Sequence, residues 1–398
     1  MPPPLPFGLT DAALAAAMAE PDPGSLAAAT RLRQSYGPDR AAAALSQAAL
    51  RRTARRKFGA AAEEMFFTRA GLEQATRPEV ADHRARRFVA AGARTVVDLG
   101  CGIGSDSLAF ARAGLSVIAV DRDPETAAVA AANLGGRTTV LVADAEQVAD
   151  DLLTTGAAVF CDPARRTDQT RLWRVEDFSP SWSLVGRLFD GSRPAGVKLG
   201  PALPSRLIPD HVEAEWFTHR GDTVEVTLWA GPGAAPGVRA ALVGPDEQGL
   251  THRLPVTQEP ELPVRALGQY VYEPAGAVIR AGGVGQLGTE LGTGLLDRQL
   301  AYLTGDALVR SPFATAFQVE EQLPFRPKVL RRWLGEHGVG TLEIKKRGIE
   351  IDPARLRTQL RLAGPHTATL IISRTPHGAV AVIASRVGST ALDSPKIQ

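Results

Sequence analysis

A short apolar run ending in an acid and three alternating glycines constrains this chain more than any other stretch. Thr95-Val96-Val97 is β-branched and apolar and predicts a buried strand, and Asp98-Leu99-Gly100-Cys101-Gly102-Ile103-Gly104 follows it. Glycine permits positive φ, and without Cβ atoms a ligand can press against the main chain. Ser105-Asp106 then predicts the N-cap of an amphipathic helix over residues 107–113, with Gly114 at its C-cap. The free N–H groups of such a helix start favour a carboxylate or another anion.

The dinucleotide pattern G-x-G-x-x-G is not met, because Ser105 stands where the third glycine belongs. Three further apolar runs repeat the arrangement of strand followed by acid. Residues 115–120 end at Asp121, 17 residues after Gly104 (121 − 104), where a carboxylate can accept both hydroxyls of a ribose. Residues 139–142 end at Ala143-Asp144-Ala145, and residues 157–160 at Cys161-Asp162-Pro163-Ala164-Arg165. A fifth strand, 196–199, carries Lys198 near its end, and the runs 212–217 and 223–229 predict a hairpin. Together these predict an α/β sheet with its ligands beyond the carboxyl ends of the strands.

The D-x-G-x-G-x-G segment resembles motif I of class I S-adenosylmethionine methyltransferases. The resemblance implies a Rossmann-like, seven-stranded sheet closed by an antiparallel hairpin. It puts Asp98 near the ligand's amino group and Gly100, Gly102 and Gly104 against its methionine and ribose parts. Asp121 would hold the ribose and Asp144 would read the adenine edge. Asp162-Pro163-Ala164-Arg165 resembles motif IV of nucleic-acid methyltransferases, (Asp/Asn)-Pro-Pro-(Tyr/Phe/Arg), where the acid or amide holds a nitrogen facing the sulfonium. Pro163 restricts the loop and removes a competing N–H. Ala164 replaces the second proline, and Arg165 replaces the aromatic residue on which a base would stack. Arg165 can stack on a base, bind a phosphate bidentately or pair with Asp162. Lys198 is a candidate acid/base or phosphate contact. A sulfonium methyl is already activated, so alignment and exclusion of water are the main requirements, and no metal ligand is expected.

The remaining chain supplies context. At 398 residues, two or three domains are expected. The two cysteines, Cys101 and Cys161, both fall in expected core elements, which argues against a disulfide framework or a zinc site. No N-terminal leader pattern and no apolar run of about 18 residues is visible, so a cytoplasmic protein with no membrane partner is expected. Residues 1–92 read as a helical region, and residues 93–231 as the methyltransferase domain. A Pro/Gly-rich stretch at 231–237 follows, then 238–324 of unassigned fold, and then a small α/β unit at 325–398. This last part resembles the THUMP-like domain appended to some bacterial methyltransferases, whose THUMP relatives bind structured RNA. Its charge is +8 (13 basic, 5 acidic), and Lys345-Lys346-Arg347-Gly348 reads as a basic turn suited to phosphate. Residues 31–90 carry +7 (13 basic, 6 acidic), either an RNA-facing or a merely solvated helical surface. Glu73, Gln74 and Arg77 read as part of a lid over the cofactor end, or as a simple i, i+4 pair of Glu73 with Arg77. The implied function is methylation of a base in structured RNA, tRNA or rRNA. A small-molecule methyltransferase and a non-catalytic RNA-binding protein that retains S-adenosylmethionine are the alternatives.

Overall fold

The computed structural model describes residues 5–136, 138–165, 178–376 and 378–388, with the backbone alone at Ala164 and Arg165. The strands are β1 Thr95–Leu99, β2 Ser116–Asp121, β3 Thr139–Val142, β4 Ala158–Cys161, β5 Ala164–Arg165, β6 Phe178–Ser179, β7 Ala195–Leu199, β8 Glu213–His219 and β9 Asp222–Ala230. Then come β10 Arg239–Gly244, β11 His252–Val256, β12 Tyr270–Pro274, β13 Gly294–Asp297, β14 Leu300–Gly305, β15 Ala314–Pro324, β16 Val339–Arg347, β17 His366–Thr375 and β18 Gly378–Arg386. The helices are α1 Asp11–Ala19, α2 Leu26–Tyr36, α3 Pro38–Phe58, α4 Arg69–Gln74, α5 Pro78–Ala90, α6 Ser105–Arg112, α7 Pro124–Leu134, α8 Ala145–Leu153 and α9 Trp182–Leu188. The chain ends with α10 Gly276–Ala281, α11 Val284–Glu290, α12 Pro327–Glu336 and α13 Pro353–Leu360. The largest sheet has the order β11-β10-β8-β9-β7-β4-β1-β2-β3, so the seven expected strands run from β8 to β3 and two more lie beyond β8. Two compact units are distinguished: 1–214 with 225–237, and 215–224 with 238–398.

In the first unit β1 pairs in parallel with β2 and β4, β2 with β3, and β4 with β7, while β9 runs antiparallel to β7. The parallel core strands are apolar on both faces, as burial between helix layers requires; every residue of β4 is buried. On one face Phe88 of α5, Phe110 of α6, Phe160 of β4 and Trp229 of β9 pack edge to face, with ring centroids 5.3–5.5 Å apart. The N-terminal helices form their own core from Leu14, Leu32, Leu45, Phe58, Phe66 and Phe67, which reaches the sheet through Ile103 and Val129. Asn133 of α7 clamps this junction: it accepts from Phe66 N at 2.7 Å and donates to Ile103 O at 2.8 Å. Within the basic stretch 31–90, Arg51, Arg52 and Lys57 are spent on contacts of this bundle, while Arg55 and Arg56 stay exposed. Arg51 donates to Met65 O, Arg52 to Pro21 O and Lys57 to Leu72 O, and Arg55 pairs with Glu63. The Pro/Gly-rich stretch at 231–237 is also packed. A Cβ at Gly231 would lie 1.9 Å from Arg193 O, and one at Gly233 would lie 2.7 Å from Ala91 Cβ.

In the second unit a seven-stranded sheet runs β13-β14-β12-β15-β18-β17-β16. Helices α12 and α13 cover one face with Leu330, Leu334, Leu356 and Leu360, against Leu342, Leu370, Ile372 and Ile383. A second cluster gathers Val271, Tyr302, Phe317, Ile371 and Val382. The glycine-dense run around residues 282–294 serves close packing: a Cβ at Gly288 would lie 2.2 Å from Leu262 Cδ1. The basic turn expected at 345–348 is a correction. Lys345 and Arg347 lie within β16, where Lys345 pairs with Glu273 at 2.6 Å and Glu343 at 3.3 Å, and Arg347 reaches Glu273 at 3.7 Å. Their charge is answered inside the sheet and does not form a free phosphate-binding turn.

Helix α4 sits against the glycine loop because residue 71 has no side chain. A Cβ there would lie 2.3 Å from Ile103 Cγ2 and 2.7 Å from Thr68 Oγ1. Overpacking a site of this kind costs about 1–3 kcal/mol. Gly71→Ala is expected to lower the unfolding free energy by that amount, measured by urea denaturation.

Candidate functional site

Because β4, β1, β2 and β3 are parallel neighbours, their carboxyl ends share one edge of the sheet. Asp98 is the penultimate residue of β1, Asp121 the last of β2, and Asp144 and Asp162 follow β3 and β4. Lys198 lies near the end of β7, and Pro163 is buried just beyond Asp162. The Arg165 side chain, like Arg166, lies outside the described residues.

The glycine loop turns at positive φ, with values of 83°, 57° and 83° at Gly100, Gly102 and Gly104. A Cβ at Gly100 would stand 3.1 Å from Asp162 O, so the loop passes close to the chain leaving β4. Helix α6 starts at Ser105, earlier than the sequence suggests, with Gly104 as a left-handed N-cap and no side-chain cap. Asp106 is thereby released from capping. Asp121 accepts from Gly102 N and Asp123 N, each at 3.0 Å, which ties the loop to β2. Burial raises the Asp121 pKa, and those two N–H groups oppose the shift. Asp144 caps α8, accepting from Glu146 N at 2.9 Å.

Beneath this edge lies a buried charge cluster. Arg84, 1% exposed, donates to Asp106 Oδ1 at 2.7 Å and to both Glu225 oxygens at 2.8 and 2.9 Å. Thr76 donates to Asp106 Oδ2 at 2.7 Å, and the Arg84 guanidinium lies 4.7 Å from the Phe160 ring centroid. Burial works against the charge of Arg84, but Asp106, Glu225, Asp162 and Asp98 outweigh it and hold its pKa above the ordinary arginine value. Lys198 pairs with Asp162 Oδ2, and there too burial is outweighed, by Asp162, Asp106 and Glu225, so Lys198 stays protonated. Asp98 is different. Burial, with Asp106 and Asp162 nearby, pushes its pKa to about 8, against the opposing pull of Ser107, which donates to Asp98 Oδ2 at 2.5 Å, and of Arg84. Two buried polar atoms of the loop region, Asp98 Oδ1 and Ser105 Oγ, have no hydrogen-bond partner among the described residues.

Sequence reasoning named the residues at the strand ends but missed Arg84, Thr76 and Glu225. One signal was available: α5 buries Val80, Ala81, Ala85 and Phe88, and Arg84 falls in the middle of that apolar stripe. An arginine at a core position implies a buried acid. Removing one member of a buried ion pair costs about 3–5 kcal/mol, because the partner charge is left uncompensated. Arg84→Met is expected to destabilise the fold by that amount in chemical denaturation.

Comparison with known proteins gives the same picture. The family described as a methyltransferase domain matches residues 96–168, and that described as THUMP domain-like matches residues 314–386. A domain of unknown function matches residues 11–54. A protein of Porphyromonas gingivalis W83, crystallised under a provisional methyltransferase assignment, superposes with a TM-score of 0.76. It is 22% identical, with 95% of this chain and 98% of that one covered, and it shows the shared fold. An uncharacterized S-adenosylmethionine-dependent methyltransferase of Mycobacterium tuberculosis (strain ATCC 25618 / H37Rv) is 33% identical over 371 residues, covering 89% of this chain and 99% of its own. The same identity and coverage hold for the counterpart in strain CDC 1551 / Oshkosh. With the glycine loop, the acids at the strand ends and this relationship along nearly the whole of both chains, the protein belongs to the S-adenosylmethionine-dependent methyltransferases.

Proposed function

We propose that this methyltransferase acts on a base of structured RNA, tRNA or rRNA, with the acceptor nitrogen at Asp162 and Lys198. The observation that carries the reading is the Asp162–Lys198 pair at the ends of β4 and β7. Lys198 is held protonated, so its part is that of a donor rather than a general base. An ionised carboxylate accepts only, and an ammonium donates only. Side by side they complement an edge that presents an N–H next to an acceptor atom, the pattern found on nucleobases. The carboxylate holds the N–H group, and Lys198 both orients Asp162 and is available to the neighbouring acceptor atom. Asp162, 31% exposed at its side chain, remains accessible from solvent.

The residues present fit S-adenosylmethionine. Asp98 Oδ1 and Ser105 Oγ lack partners among the described residues, and Asp98, once ionised, suits an ammonium; Gly100, Gly102 and Gly104 leave the backbone open to close approach. Asp121 has lone pairs left for ribose hydroxyls, and Asp144 follows β3 on the same edge for the adenine. When bound, the cofactor supplies an activated methyl group. This chain's contribution is alignment and exclusion of water, worth up to about 100-fold or more in rate for a displacement of about 1 Å.

The THUMP domain-like match supports RNA as the acceptor. In that part Arg326, Lys328, Arg331, Arg355 and Arg361 are exposed and suited to phosphates, in place of the paired Lys345 and Arg347. Trp333 is stacked on His337 with ring centroids 3.8 Å apart, so shape and phosphate recognition predominate over base stacking.

Transfer of labelled methyl to total RNA from a strain lacking the gene tests the reading. Asp162→Ala is expected to lower the rate by about 100-fold with little change in cofactor affinity. Transfer to small metabolites alone would move the acceptor to that class. A second expectation concerns pH. Between about pH 4 and pH 8 the unfolded chain releases the Asp98 proton that the folded protein keeps, so this carboxyl lowers stability as pH rises through that window. A ligand ammonium beside it favours ionisation. Binding of S-adenosylmethionine at pH 7 is therefore expected to release close to one proton, read by calorimetry in buffers of different ionisation enthalpy, and Asp98→Asn abolishes the release.

A further inference from the structure

Lys57, in the last turn of α3, donates to Leu72 O at 2.8 Å and Glu73 O at 3.1 Å, in the closing turn of α4. Arg77, four residues beyond Glu73, and Lys198 are close enough for their positive charges to act on it. Burial and these two like charges bring the Lys57 pKa down to about 8, with Glu73 opposing them. Arg77 is half-buried and makes no hydrogen bond or ion pair among the described residues. Lys198 is itself paired with Asp162 at the catalytic edge. The arrangement is also fixed in place. Thr76, next to Arg77, is bonded to Asp106 at 2.7 Å, and α4 is seated on Ile103 through Gly71. Like charges held together in a partly buried space repel, and an oxyanion with two charges relieves that repulsion better than a neutral group does.

We propose that Lys57 and Arg77, with Lys198 beyond them, form an anion site beside Asp162 that takes a phosphate group of the methyl acceptor. The inference rests on methyl transfer at Asp162 and adds where the acceptor is gripped. The Arg77 fork suits two phosphate oxygens, and Lys57 acts as a point charge with one N–H left after its two carbonyl bonds. A phosphate anchored here tethers the acceptor on the side of Asp162 where Lys198 stands, so its binding contributes to alignment of the reacting nitrogen. The site belongs to the N-terminal region and the methyltransferase domain, and it does not involve the THUMP-like residues.

The test uses the full-length protein, titrated calorimetrically with inorganic phosphate and separately with S-adenosylmethionine. Wild type is expected to bind phosphate. Arg77→Gln is expected to weaken that binding about tenfold, or 1.4 kcal/mol, with cofactor affinity within about twofold of wild type. Lys57→Gln keeps a donor for the Leu72 and Glu73 carbonyls and is expected to give the same result. Equal phosphate affinity in all three proteins, or no phosphate binding by wild type, overturns the proposal. Loss of cofactor affinity in place of phosphate affinity also overturns it, and assigns the two cations to the cofactor's carboxylate. If phosphate binding weakens as expected while no RNA is methylated, the anion site stands and the RNA reading fails. If RNA is methylated while phosphate affinity is unaltered, the anion site fails and the RNA reading stands.

Discussion

The buried guanidinium of Arg84 is the contact on which the rest of the catalytic unit depends. It joins three elements distant in the chain: α5, which carries it, α6 through Asp106, and β9 through Glu225, 141 positions further on. A charge removed from water is tolerated only with its partners in place, so these elements cannot shift independently. Since α6 begins at the end of the glycine loop, the position of that loop is tied to the same network. Thr76 extends it to the segment before α5, and so to the helices that pack on Ile103.

The electrostatic balance of the site follows from this network. Among the described residues, Asp98, Asp106, Asp162 and Glu225 are answered by two buried cations, Arg84 and Lys198. Three of the four acids have a cation beside them, whereas Asp98 is bonded to a neutral hydroxyl and its pKa is pushed up to about 8. A surplus of buried acid beside a glycine loop suits a ligand that brings an ammonium and a sulfonium. Lys57 and Arg77, between α3 and α5, bring the opposite sign close to Lys198.

In the second unit the charge pattern reads differently once the strands are paired. Lys345, Arg347 and Arg386 share Glu273 and Glu343, and Arg374 meets Asp297. These residues brace the sheet. The basic residues left at the surface belong chiefly to α12, α13 and their flanks, where the apolar faces are turned inward and arginine and lysine remain on the outer side. Net charge over a segment therefore overstated what the segment offers to a partner.

Local pattern alone determined the strand–glycine–helix unit at 95–112, the succession of strands ending in acids, and the closing hairpin. Each is set by residues within a few positions of one another: alternate glycines for positive φ, β-branched runs for buried strands, and acids at the points where those runs stop. Tertiary structure decided what each acid does. Asp106 looked like a cap and became the partner of Arg84, because Gly104 supplied the helix start. Glu225 lay unnoticed in a hairpin until β9 came to rest beside β7. Lys345 and Arg347 looked free until the fold brought Glu273 of β12 to them, beside Glu343 of β16 itself. Charges interact through space at distances that sequence separation does not encode, so the elements could be read from the chain while their pairings waited on the fold.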